Sequence, residues 1–177
     1  MTKRNILMAV QLTPLIMKAL DRQFTVHKYW MAKDKKALIE SVAEKITAIA
    51  TAVPILAQDK ACPVDAAFMQ QFPNLEIVAN LGVGYDNIDT QWAADHNIAV
   101  TNTPDVLTEE TADTAFGLLL NTVREFSAAE RYLRDGKWLQ QPYRLTASLQ
   151  GRTLGILGLG RIGKAIARRA EGFGLKI

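Results

Sequence analysis

The stretch Thr153-Leu-Gly-Ile-Leu-Gly-Leu-Gly-Arg-Ile-Gly163 constrains this chain more than any other part of it. Gly158, Gly160 and Gly163 satisfy the pattern G-x-G-x-x-G, and the flanks fit. Thr153 to Leu157 read as an apolar strand, and Lys164 to Phe173 as an amphipathic helix. Each glycine has its own physical task. Gly158 permits a tight turn, Gly160 lets backbone approach a pyrophosphate with no side chain between, and Gly163 lets helix and strand pack closely. The free N–H groups at the helix start then hold the phosphates. The competing reading is a plain strand–turn–helix that needs glycine for its geometry alone.

The rest of the chain has the rhythm such a unit belongs to. Short apolar runs at Ile6–Val10, Phe24–Tyr29, Ile46–Thr51, Glu76–Asn80 and Ile98–Asn102 alternate with helical patterns. The helices are expected at Leu15–Leu20 (Thr13 capping, Pro14 at the first position), Lys35–Lys45, Pro63–Phe72 and Thr90–His96. A βαβα order implies a parallel sheet covered on both faces. After Thr103-Pro104 the texture changes. One long helix is expected from Thr108 to about Arg134, with Thr108 as cap and Glu109 and Glu110 at the positive end of its dipole. Residues 136–151 form an irregular arm before the glycine-rich unit. The boundary falls near residue 102, giving domains 1–102 and 103–177.

Composition narrows the function. The hydrophobic fraction of 49% supports a real core, and the formal charge of +3 is spread without a basic block. Neither a nucleic-acid stripe nor a polybasic membrane patch is present. One cysteine, Cys62, excludes an internal disulfide framework and a cysteine-based zinc site. Gln11 and Pro14 break the first apolar run, which argues against a secretory signal, and no run reaches the roughly 18 apolar residues of a membrane span. The expectation is a cytoplasmic α/β protein without membrane or nucleic-acid partners.

A second glycine loop, Asn80-Leu-Gly-Val-Gly-Tyr-Asp-Asn-Ile-Asp89, follows the fourth expected strand. Gly82 and Gly84 bracket Val83 at a strand's carboxyl end, where open α/β sheets bind ligands, and exposed N–H groups there can hold a carboxylate. An ordinary βα turn is the alternative. Together with Val100-Thr-Asn-Thr-Pro-Asp-Val-Leu-Thr-Glu-Glu-Thr-Ala-Asp113 and Gly158-Leu-Gly-Arg-Ile-Gly163, this loop resembles the D-isomer-specific 2-hydroxyacid dehydrogenases, in particular the glyoxylate and hydroxypyruvate reductase branch. Residues 75–177 carry the resemblance, and residues 1–75 fit by rhythm. At Val53-Pro-Ile-Leu-Ala-Gln-Asp-Lys60 the family would have a shorter loop containing glycine.

The resemblance implies a flavodoxin-like substrate domain followed by the first part of a Rossmann domain for NAD or NADP. It implies that Val83 and Gly84 offer N–H groups to the carboxylate of a small 2-oxo or 2-hydroxy acid. Thr111 would touch the nicotinamide end of the cofactor, and Arg161 and Ile162 would lie over the pyrophosphate with Gly158, Gly160 and Gly163. The long helix and the arm, near 108–150, would form a homodimer interface, with Trp138 and Tyr143 as anchors or as internal packing. The family's catalytic Arg, Glu and His are expected beyond Ile177, as is a returning C-terminal segment that closes the substrate domain. His27 and His96 read as structural or surface residues, and Arg124 and Arg131 as the polar or interface face of the long helix. No catalytic residue is therefore assigned, and the 177 residues alone are expected to be inactive. The alternatives are a non-catalytic dinucleotide-binding or corepressor-like protein, and a dehydrogenase for another substrate such as phosphoglycerate or formate.

Overall fold

The computed structural model describes residues 3–53 and 62–177. The expected loop difference after Val53 lies, from residue 54 to residue 60, outside the described residues. The chain divides into two compact units, Met1–Pro104 and Asp105–Ile177.

The first unit is built on five parallel strands: β1 (Asn5–Met8), β2 (Thr25–Lys28), β3 (Ile46–Ala52), β4 (Ile77–Leu81) and β5 (Ala99–Thr101). Their spatial order, β2-β1-β3-β4-β5, is the flavodoxin-like doubly wound order. Alternate residues serve alternate faces. Leu7, Ile49 and Val78, all fully buried, face a cluster with Ile39, Val42, Phe68, Met69 and Ile98. These come from or adjoin helices α2 (Lys35–Val42), α3 (Ala66–Met69) and α4 (Thr90–Asp95). The other face carries Met8, Ala50 and Ala52 with Leu12, beneath α1 (Pro14–Gln23). Beyond α1 this face is a groove of about 320 Å³. Ala48, Ala50 and Ala79 lie among its lining residues, with Ile6, Leu20, Phe24 and Ile77. The Arg4–Glu76 pair (3.3 Å) also lines it.

Local chemistry explains the helix limits. Pro14 opens α1, although the Thr13 side chain makes no capping bond. Asp34, Asp65 and Asp89 cap α2, α3 and α4, accepting from the N–H groups of Ala37 (2.9 Å), Phe68 (2.8 Å) and Trp92 (3.0 Å). Two helices are shorter than the sequence pattern. The end of the Lys35–Lys45 segment tightens into a 3₁₀ turn at Ala43–Lys45. The Pro63–Phe72 segment is helical only at Ala66–Met69, because Val64 is taken into a parallel bridge with Ile88.

The second unit corrects three expectations. The single long helix is two, α5 (Thr108–Arg124) and α6 (Phe126–Arg134), separated by Glu125 in the left-handed region at φ 55°. The cause is non-local. The Glu125 carboxylate accepts from the Tyr143 hydroxyl (2.8 Å) and from Arg144 (2.5 Å), both on the arm. Asn121 Oδ1 meanwhile accepts the Ser127 N–H (2.9 Å) at the start of α6. Thr108 is not the cap of α5 but its first residue. Leu107 holds the cap position without a side-chain bond, and the Thr108 hydroxyl donates to Asp105 (3.3 Å). The strand expected at Thr153–Leu157 is one parallel bridge, Thr153 to Lys176. Its bonds are Leu154 N–H to Lys176 O (2.8 Å) and Lys176 N–H to Arg152 O (2.8 Å). Among the described residues no helix is long and apolar enough to cross a membrane.

Candidate functional site

The two glycine turns stand in different units, Val83 and Gly84 in the first, Thr111 and Gly158–Gly163 in the second. The first turn leaves β4. It is held by its carbonyls, and each has a donor from the protein. Gly82 O accepts from the Thr103 N–H (2.9 Å), Val83 O from Asn102 Nδ2 (2.8 Å) and Gly84 O from Asn80 Nδ2 (2.8 Å). The Gly82 N–H donates to the Thr103 hydroxyl (3.1 Å). Among the described residues no acceptor meets the N–H of Val83 or Gly84. The turn is thus held through its carbonyls and, among the described residues, keeps two donors without acceptors, which suits an anion.

The floor beneath this turn is polar where the rest of the core is not. Thr51 and Asn80 are partners in the β3–β4 register and are the two buried polar residues of the described core. Thr51 Oγ1, Asn80 Oδ1 and both amide atoms of Asn87 are buried without a protein partner among the described residues. The sequence reading missed Asn80, Asn102 and Thr103. The signal was an Asn in an otherwise apolar strand and Asn-Thr directly after β5, at the carboxyl edge where strand ends face ligands.

The second turn precedes α7 (Arg161–Gly172). Gly158 has φ +98°, a conformation that L side chains rarely adopt. A Cβ on Gly163 would collide with the Gly158 carbonyl oxygen, so the helix approach admits only glycine. A Cβ on Gly160 would meet nothing within 4 Å, so the space over the turn is open. The helix has no side-chain cap, and the N–H groups of Arg161, Ile162 and Gly163 lack acceptors among the described residues. Its first intrahelical bond runs from Lys164 N–H to Gly160 O (3.0 Å). The Arg161 guanidinium pairs with Asp105 (3.0 Å).

Helix α7 is fixed to α5 by Phe116 on Phe173 (ring centroids 4.9 Å apart) and by charge. Arg169 bonds Asp113 (2.6 Å), the Glu109 carboxylate (2.9 Å) and the Glu109 carbonyl (3.2 Å), and Arg168 bonds Glu109 (2.7 Å). These bonds hold the Glu109 carboxyl below the usual carboxylate range. Thr111 lies exposed in the first turn of the same α5.

The histidines belong to neither turn. His27 in β2 bonds Asn5 Oδ1 (2.9 Å), and burial, aided by Lys45, pushes its pKa down. His96 stacks on Trp92 (3.8 Å) and bonds its carbonyl (2.8 Å). Burial raises the Cys62 thiol. Among the described residues no group of three or more His, Cys, Asp or Glu side chains is arranged to hold a metal ion.

Residues 6–170 match the family described as D-isomer specific 2-hydroxyacid dehydrogenase, catalytic domain. The chain is 39% identical over 173 residues to glyoxylate/hydroxypyruvate reductase A of Arabidopsis thaliana, covering 98% of this chain and 53% of that protein. It is 41% identical over 166 residues to a glyoxylate reductase of Pyrococcus horikoshii, covering 90% and 48%. Among solved structures, a 2-hydroxyacid dehydrogenase from Ketogulonicigenium vulgare Y25 matches with a TM-score of 0.84 at 40% identity, covering 99% of this chain and 53% of that one. An NADPH-dependent glyoxylate/hydroxypyruvate reductase from Sinorhizobium meliloti, in complex with NADP and malonate, matches with a TM-score of 0.75 at 41% identity, covering 98% and 52%. The chain spans about half the length of the curated relatives it matches.

Proposed function

This chain belongs to the D-isomer-specific 2-hydroxyacid dehydrogenase family, and from that premise we propose that it supplies the substrate-carboxylate and pyrophosphate turns of an NAD- or NADP-dependent oxidoreductase of small 2-oxo and D-2-hydroxy acids. Glyoxylate and hydroxypyruvate are the substrates its relatives point to. The observation that carries the reading is the pair of glycine turns, each with consecutive N–H groups that meet no acceptor among the described residues. Residues 1–102 are assigned to the substrate domain and residues 103–177 to the opening of the cofactor domain. The groove over Ala48 and Ala79 is the seat for the returning segment expected of the family.

In this reading Val83 and Gly84 hold the substrate carboxylate. A dinucleotide fits the second turn on geometry, through the open space over Gly160, the close pass at Gly163 and the uncapped start of α7. Gly158, Gly160, Arg161, Ile162 and Gly163 hold the pyrophosphate, and Thr111 stands toward the nicotinamide. A bound nicotinamide dinucleotide supplies the hydride. Hydride addition to a 2-oxo carbon makes an alkoxide that needs a proton and a nearby positive charge. Those roles are assigned to an Arg, a Glu and a His outside these 177 residues, so the chain alone binds without turning over.

Exposed Leu118, Phe126, Leu133, Trp138, Leu139 and Leu145 support a homodimer through α5, α6 and the arm. Tyr143 serves internal packing, against Tyr132 and Glu125. The cytoplasm is the proposed location, where the Cys62 thiol stays reduced. The test is NADPH and NADH titration of the purified chain, followed by absorbance at 340 nm with glyoxylate and with hydroxypyruvate. Binding without turnover is expected. Turnover by the chain alone would overturn the assignment of the catalytic groups, and absence of dinucleotide binding would sink the second turn.

A further inference from the structure

The first turn carries more than the two donors assigned to it. A trans peptide is planar, and the carbonyl of one residue points opposite to the N–H of the next. Wherever the three carbonyls of Gly82, Val83 and Gly84 are held, the N–H groups of Val83, Gly84 and Tyr85 are turned the other way. The holding groups are the Thr103 N–H, Asn102 Nδ2 and Asn80 Nδ2. Asn80 Nδ2 also lies 3.5 Å from Gly82 O, so one side-chain amide reaches the first and third of these carbonyls. The Tyr85 N–H, like the other two, meets no acceptor among the described residues.

Asn80 is an expensive residue for its place. It is 3% exposed near the carboxyl end of β4, and among the described residues its Oδ1 has no protein partner. A buried polar atom left unpaired costs stability that an apolar side chain would not. Its Nδ2 bonds are confined to the turn. An interior position that gives up stability in this way is expected where function sets the residue.

We propose that Asn80 is a positioning residue for the carboxylate-binding turn, that Asn102 shares the task from β5, and that the turn offers three N–H donors, with Tyr85 as the third. This rests on the reading of the turn as a carboxylate site. Asn80 fixes the two outer peptide planes and Asn102 the middle one. The ligand class is a small monocarboxylate with an adjacent carbonyl oxygen. Such a ligand has enough acceptor positions to use three donors.

The test is an NMR titration of the ¹⁵N-labelled 177-residue chain with oxamate, an unreactive 2-oxo acid analogue, at constant ionic strength. The amide resonances of Val83, Gly84 and Tyr85 should move together. In Asn80→Ala the apparent affinity should fall about ten-fold, while the amides of β1 keep their positions. Thr51→Val changes the adjacent buried residue, whose hydroxyl meets no partner among the described residues, and should bind as the parent does. Asn102→Ala alters a side chain at the sheet edge and should diminish the Gly84 response while Val83 still moves. If Asn80→Ala does not fold, Asn80→Leu, of similar volume and without the amide, takes its place. Parental oxamate affinity in Asn80→Ala, or an unchanged Gly84 response in Asn102→Ala, overturns the positioning role and leaves the carboxylate site standing. Movement of Val83 and Gly84 without Tyr85 overturns the third donor. No movement at Val83 and Gly84 in the parent chain overturns the carboxylate reading itself, and the inference with it.

Discussion

The two units hold themselves together by different means. The first buries whole strands: Leu7, Met8, Ile46, Ile49 and Val78 are fully enclosed. The second encloses only Ala112, Phe116, Leu149, Ala165 and Ala170 among its described hydrophobic residues, while Leu139, Leu145 and Leu157 are almost wholly exposed. Its α5–α7 contact is a narrow seam of Ala112, Phe116, Ala165 and Ala170, with Arg168 and Arg169 paired to Glu109 and Asp113 at its exposed rim. The same α/β alternation thus yields one unit held by the burial of whole strands and another held by a small apolar seam to which the exposed ion pairs add little. A sheet face is satisfied only when a second layer covers it. The second unit has a single bridge in place of a sheet.

The contrast is open to attack at several points, and the largest effect lies in the cores. Ile49→Ala should cost about 3–4 kcal/mol in urea unfolding, and Leu157→Ala, fully exposed and outside the proposed dimer surface, should stay within about 0.5 kcal/mol. Similar costs for the two would erase the distinction. Next come the glycines of the second turn. Gly163→Ala forces the helix off the Gly158 carbonyl and should cost about 2 kcal/mol. Gly160→Ala should cost less than about 1 kcal/mol, yet weaken dinucleotide binding about ten-fold by filling the approach. Equal losses of stability would refute the division of labour between them.

The smallest effect is the response to acid. His27 has a lowered pKa in the folded chain, so its contribution to the first unit is present above about pH 6.5 and fades as the pH falls through the folded value. Glu109 is lowered too, so its contribution to the α5–α7 contact is complete above about pH 4.3 and fades below. Hydrogen exchange should therefore quicken in β2 at a higher pH than in α5 and α7. The reverse order would refute this assignment of the two groups.

Much of this was legible in the sequence, and the failures have physical causes. β1 and β3, buried on both faces, are short continuous apolar runs and could be read directly, while the edge strands β2 and β5, exposed or half-buried, could be placed only through their alternation with helices. The glycines at 158, 160 and 163 stood out because strand and helix patterns flanked them. The break at Glu125 could not be read, since neither glycine nor proline marks it. It is set by Tyr143 and Arg144, eighteen and nineteen residues further on. The apolar run Thr153–Leu157 looked like a strand because pattern reports propensity, whereas a ladder needs a partner. The importance of Asn80 was hidden because it depends on where three carbonyls point after β4 ends.

The dependence of the first turn on β5 has a consequence for the order in which the molecule comes apart. β5 is three residues long and lies at the sheet's edge, where protection from local opening is least. Asn102 and Thr103, which hold two of the three carbonyls, follow directly from it. Fraying of that one short strand would release the binding geometry while β1, β3 and β4 remained paired. The held carbonyls of the turn are thus expected to be released early in local opening, while the strands that carry the turn stay paired.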